Sequence, residues 1–199
     1  MEADEAAEMM DQDELRDRFK QRAAVTIAIL AMVLAICSLG GSNAGKEAVN
    51  NNVLASNFFN FYQAKTMRQT ALELAANEME LGWLNDPAIP EATRQAMRQK
   101  VAQYRETVAR YESEPSTREG KKELMARARD HEEKRDHALK QDPYFDYAEA
   151  LLQIAIVLIS VSIVAELLWL AAIGGVLGVI GGLLMVNGYL LLVEIPGIG

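Results

Sequence analysis

The chain has 199 residues, 50% of them hydrophobic and 24% charged, with a formal net charge of −8. That balance excludes a nucleic-acid binder, because phosphate recognition needs a basic surface. A mean hydropathy of −0.02 suits a soluble protein only while the order of the residues is ignored: the apolar ones collect in a run over residues 23–39 and a longer stretch over 148–193.

The first fourteen residues hold seven acidic side chains and no basic one, the pattern of a solvated, mobile tail. Arg16, Arg18, Lys20 and Arg22 follow, giving an acidic then basic N-terminal segment over 1–22. The first transmembrane helix is expected over 23–41, since a bilayer core of about 30 Å takes about 20 apolar residues. The acidic leader is unlike the n-region of a signal peptide, so this segment reads as an uncleaved anchor. Ala24, Ala28, Ala31 and Ala35 recur at helical spacing and form a small-residue face where another helix can approach closely. Cys37 is the only cysteine and reads as an apolar filler; Ile36 before it is too bulky for lipoprotein cleavage. Gly40-Gly41-Ser42-Asn43 is expected to break the helix as it leaves the membrane.

Residues 42–147 form a polar insert with balanced charge, 16 Lys+Arg against 17 Asp+Glu. From Lys46 to Leu84 there is no proline, and apolar positions mark a long amphipathic helix of about 55–60 Å. Val49, Val53, Asn60, Met67, Leu74 and Leu81 share one heptad-like stripe. Leu54, Phe58, Phe61, Leu72, Ala75 and Met79 share a neighbouring one. Pro87 and Pro90 mark a reversal. A second helix is expected over 91–112, and a third begins at the Ser116-Thr117-Arg118-Glu119 capping box and runs to about Gln141. Asp142-Pro143 reads as a fresh helix start, with Tyr144, Phe145 and Tyr147 as an interfacial belt.

Residues 148–193 are long enough for transmembrane helices 2 and 3, with a sharp turn expected near 172–175 and a tail over 194–199. Gly174, Gly178 and Gly182 form a small-residue ladder with two readings: association with another copy, or packing against the other spans. Glu166 is an intramembrane carboxylate, which costs about 2.5–3.5 kcal/mol at mid-depth and is a functional candidate by default. Its nearness to the expected turn gives a second reading, contact with headgroup water. Asn187 falls roughly opposite Ser160. His131 and His137 do not share a helical face, and no catalytic motif, metal site or cofactor is expected.

The string Ser56-Asn57-Phe58-Phe59-Asn60-Phe61-Tyr62-Gln63-Ala64-Lys65 resembles the aromatic-x-x-Tyr-Gln-Ala-Lys signature of a bacterial membrane family, domain of unknown function 4337. The family layout is similar too: one N-terminal span, a helical middle and a C-terminal pair. The resemblance implies architecture and no activity, and it directs attention to Tyr62, Gln63 and Lys65. Phe58, Phe59, Phe61 and Tyr62 cover more than one helical face, so with Gln63 and Lys65 they form a candidate interface, Lys65 pairing an acid across it. The competing reading packs these aromatics against Tyr104, Val108 and Tyr111 alone.

The expected protein is therefore all-α and integral to a membrane, with three transmembrane helices and a long antiparallel helical hairpin, coiled-coil-like, inserted between the first and second. The expected function is a non-enzymatic, homo-oligomeric membrane scaffold. The alternative is a small conduit lined by Glu166 and Asn187. Expected partners are the lipid bilayer, further copies of the chain and another membrane protein. Basic residues before the first span place the N-terminus in the cytoplasm of a bacterial inner membrane and the insert in the periplasm.

Overall fold

The computed structural model describes residues 2–197, with side chains from Glu14 onward. Among the described residues the chain is all-α, with helices α1 (Glu2–Asn85), α2 (Glu91–Glu112), α3 (Lys121–Ala165) and α4 (Leu168–Leu190). α1, α3 and α4 each contain a segment long and apolar enough to cross a membrane. The acidic N-terminal residues from Glu2 belong to α1; the side chains before Glu14, on which the solvated-tail reading rests, lie outside the described residues. The chain divides into two compact units, one built from residues up to 48 and from 136 onward, the other from Val49–Arg135.

In the first unit the core is a heptad seam. Ala23, Leu30, Cys37 and Ala44 of α1 recur every seventh residue and meet Phe145, Ala148, Leu152, Ala155 and Ile159 of α3. Alternating spacings of three and four are the pattern of helices that cross at a shallow angle. α4 closes the unit through glycine. A side-chain carbon at Gly174 would lie 2.7 Å from Ile159, one at Gly178 2.7 Å from Leu30, and one at Gly181 3.0 Å from Leu152. Close backbone approach of this kind supplies the van der Waals contact that holds helices together where no hydrophobic effect acts between them. Most of the apolar surface points outward. Only 17, 28 and 17% of the most apolar windows of α1, α3 and α4 are buried. Val25, Met32, Val157, Val164, Val179 and Leu183 are all more than half exposed.

Three expected breaks are corrected here. α1 runs without interruption through Gly40-Gly41, because those glycines are packing positions: a side-chain carbon at Gly40 would lie 2.6 Å from the Phe145 ring. α3 runs through Asp142-Pro143. Pro143 removes one backbone donor, but packing just beyond it holds the helix: Phe145 is 2% exposed, and the Tyr144 hydroxyl donates to the Val193 carbonyl and accepts from the Ile195 amide. Phe145 is thus a buried knob rather than an interfacial belt residue, whereas Tyr147 is 51% exposed. The turn before α4 falls at Glu166-Leu167, not at 172–175, and Glu166 takes a left-handed φ of +57°.

In the second unit, residues 49–85 of α1 pack against α2 and the first part of α3. The partners form an ordered series. Descending α1 through Glu80, Gln69, Lys65, Phe58 and Asn51, they climb through Arg105, Glu112, Glu114, Arg127 and His131. The Asp86 carboxylate accepts from the Ala88 amide to close the turn after α1. The capping box at Ser116–Glu119 is corrected: α3 begins at Lys121, and Glu123 in its first turn reaches back to the end of α2, accepting from the Ser113 hydroxyl at 2.6 Å and the Glu114 amide at 3.1 Å. Those bonds, the serine one above all, hold the Glu123 carboxyl below the usual range.

Candidate functional site

The signature segment lies on the face of α1 that meets α2 and α3. Phe58 is the centre of a stack. The His131 ring lies 5.5 Å away and nearly parallel, while the Arg127 guanidinium sits 4.1 Å from the Phe58 centroid. The His131 Nδ1 is in turn 2.8 Å from the Asn51 side-chain oxygen, and Asn51 is 5% exposed. One helical turn further on, the Lys121 ammonium lies 5.5 Å from the Tyr62 ring, and donates to Gln69 at 2.9 Å and Glu112 at 3.1 Å. The lysine hydrogen bond holds the Glu112 carboxyl below its ordinary range, against the opposing effect of desolvation.

Lys65 is the most enclosed charge of the segment, 7% exposed. Its ammonium lies 4.0 Å from both Glu114 and Glu119 and 5.4 Å from the Tyr111 ring. A lysine so placed meets carboxylates and an aromatic face in place of water. The acids beside it belong to this same chain. Of the remaining candidates, Gln63 is exposed, Phe61 is 51% exposed, and Phe59 is half-buried. Phe58 packs on Arg127 and His131 of α3, beyond the Tyr104, Val108 and Tyr111 of the competing reading. The signal was there in the seven-residue recurrence of Asn51, Phe58, Lys65 and Leu72, masked by the polarity of two of its members.

In the first unit, Ala24, Ala28, Ala31 and Ala35 all lie exposed, one position out of phase with the buried seam of Ala23, Leu30 and Cys37. Of the glycine ladder, Gly174 and Gly178 pack within the unit, while Gly182 has open space where a side chain would go. Glu166 pairs with Arg16. Asn187 closes the end of α4: its amide nitrogen donates to the Val193 carbonyl at 2.8 Å and its oxygen accepts from the Val193 amide at 3.0 Å. Its expected counterpart, Ser160, donates instead to Ile156 of its own helix. Among the described residues no group of three or more His, Cys, Asp or Glu side chains is arranged to hold a metal ion.

Three helices long and apolar enough to cross a membrane in one unit, and polar clasps between helices in the other, define an all-α protein consistent with a membrane protein. The family model for Domain of unknown function (DUF4337) matches residues 19–191, and the chain belongs to that family. No curated protein and no solved structure matches it.

Proposed function

We propose that this is a non-enzymatic membrane scaffold: three transmembrane helices anchor a long antiparallel hairpin inserted between the first and second, and copies of the chain associate. The observation that carries this reading is how the Val49–Arg135 unit uses its polar groups. Lys65, Lys121, Arg105 and His131 are engaged with side chains of neighbouring segments. Polar groups used in this way stiffen an arm rather than line a reaction site. The outward apolar faces of α1, α3 and α4 support insertion in a bilayer, which this reading places in a bacterial inner membrane with the N-terminus cytoplasmic and the hairpin periplasmic. The conduit reading is less supported, because Glu166 and Asn187 each meet partners close at hand.

The test is the mass of the detergent-solubilised particle, corrected for bound detergent. A well-defined multiple of 22.0 kDa is expected. A clean monomer at every concentration would remove the homo-oligomer. Replacing Phe59 and Phe61 with serine asks whether the aromatic segment holds copies together: dissociation with unchanged helicity is expected, and an unchanged mass assigns both rings to packing within the chain.

A further inference from the structure

Within the Val49–Arg135 unit, α1 carries a second face that no part of the unit covers. Val49, Val53, Met67, Leu74 and Leu81 are 66, 52, 73, 58 and 57% exposed. From Val53 onward these positions, with Asn60 between them, recur every seventh residue. The intervening stripe positions are Ser56, Gln63, Thr70 and Asn77, all uncharged and all exposed. Charges on this stretch of α1 sit elsewhere: Lys65 faces Tyr111, Glu80 faces Arg105, and Arg68, Glu73 and Glu78 lie beside the stripe. Between Ala48 and Ala64 there is no charged residue at all.

Solvated helices ordinarily alternate charges on their outer face. A stripe kept free of charge at every position, in heptad register, has the composition of a seam. Building on the homo-oligomer reading above, the geometry points to a second copy of α1 as its occupant, parallel and in register. A parallel in-register copy sets each residue against itself. Such pairing tolerates Val, Met, Leu, Ser and Asn and rejects like charges. Asn60 facing Asn60 exchanges amide hydrogen bonds and fixes the register, at a cost in stability. The polar members make the seam weak by itself. Anchoring both copies in one membrane raises their effective concentration and compensates. A partner of opposite charge finds nothing on the stripe to read, and the amides are too polar for a lipid surface.

The experiment is disulfide cross-linking of the full chain in native membranes, on a Cys37→Ala background. Single cysteines go at Val53, Asn60 and Met67, with exposed Gln99 and Gln103 on α2 as controls. Each seam position is expected to form a dimer with its own counterpart on mild oxidation, at least tenfold more than the controls. Co-expressed Asn60→Cys and Met67→Cys chains are expected not to cross-link with each other. Asn60→Lys, which opposes like charges, is expected to abolish the Val53 dimer without changing the helical content. Cross-linking no greater than at the controls, in a particle that remains oligomeric by mass, overturns the seam and leaves the homo-oligomer standing. A monomeric particle overturns both. A cross-linked band of unequal chains overturns the second copy in favour of a different protein.

Discussion

The two units solve the same problem, holding helices side by side, with opposite materials. The unit with the three long apolar helices uses the absence of side chains: Gly40, Gly174, Gly178 and Gly188 let Phe145, Ile159 and Leu30 come within contact distance of the helix backbone. The Val49–Arg135 unit uses charged and amide groups, with Lys65, Lys121, Asn51 and His131 reaching between segments. The difference follows from the solvent each surface suits. Where helices lie in lipid, apolar side chains gain nothing by leaving it, so steric fit decides. In water the outer ends of the clasps stay hydrated, and the enclosed ends are satisfied by one another.

The largest effect is expected where steric fit is tightest. Gly40→Val drives a branched side chain into Phe145, and a side-chain carbon at Gly41 or Gly188 would likewise lie 3.1 Å from that residue. Overpacking of this kind costs about 3 kcal/mol, and Phe145 has little room to retreat because it also meets Tyr189 edge-on at 4.8 Å. Gly182→Val, facing open space in the isolated chain, is the matched control. Thermal unfolding in detergent should separate the two widely. Equal midpoints would show that the glycine socket does not hold this unit together.

In the other unit the corresponding change is smaller, because water relieves it. Lys65→Ala takes the lysine from Glu114, which keeps Arg110, and from Glu119, and the two carboxylate side chains are 20 and 55% exposed. A loss of about 1–2 kcal/mol is expected, less than for a fully buried pair. Lys65→Met, which keeps the aliphatic stem against Tyr111, should recover part of it. If methionine is no better than alanine, the lysine acts by charge alone and its packing contributes nothing.

This contrast also marks where the sequence was readable. Charge segregation and apolar length mark out the three candidate spans, and the bounds of α2 follow from Pro90 and the break before Pro115. The glycines and Pro143 misled, because each residue type has two uses. A glycine can end a helix or admit a neighbour's ring, and only the position of Phe145 in space separates those uses at Gly40. The alanine stripe of the first span was one residue out of phase with the buried seam, since Ala23 and Ala24 look alike until Leu30 and Cys37 are seen to face inward. In the polar unit, the signature segment was found through its family resemblance, but its partners were not. Arg127 and His131 lie more than sixty residues away along the chain from Phe58, and nothing local announces such a pairing.

The smallest expected effect tests whether the clasps are electrostatic at all. Glu112 accepts from Lys121 and its carboxyl is held below the ordinary range mainly by that bond. A carboxylate whose folded value is depressed contributes stability above its unfolded value, about 4.3 for glutamate. That contribution is lost as the pH falls through the folded value. The Glu112 side chain is 44% exposed, so solvent screening limits the contribution to a few tenths of a kcal/mol. Glu123 is depressed as well, so acid weakens wild type for more than one reason. Comparison with Glu112→Gln isolates one of them. At neutral pH the glutamine variant should unfold at slightly lower denaturant than wild type, followed by far-UV circular dichroism. Well below pH 4 the two should converge, because the wild-type carboxyl is then neutral too. A gap that stays constant across that range would mean that Lys121 holds α1 and α2 by geometry, and that its charge contributes nothing measurable there.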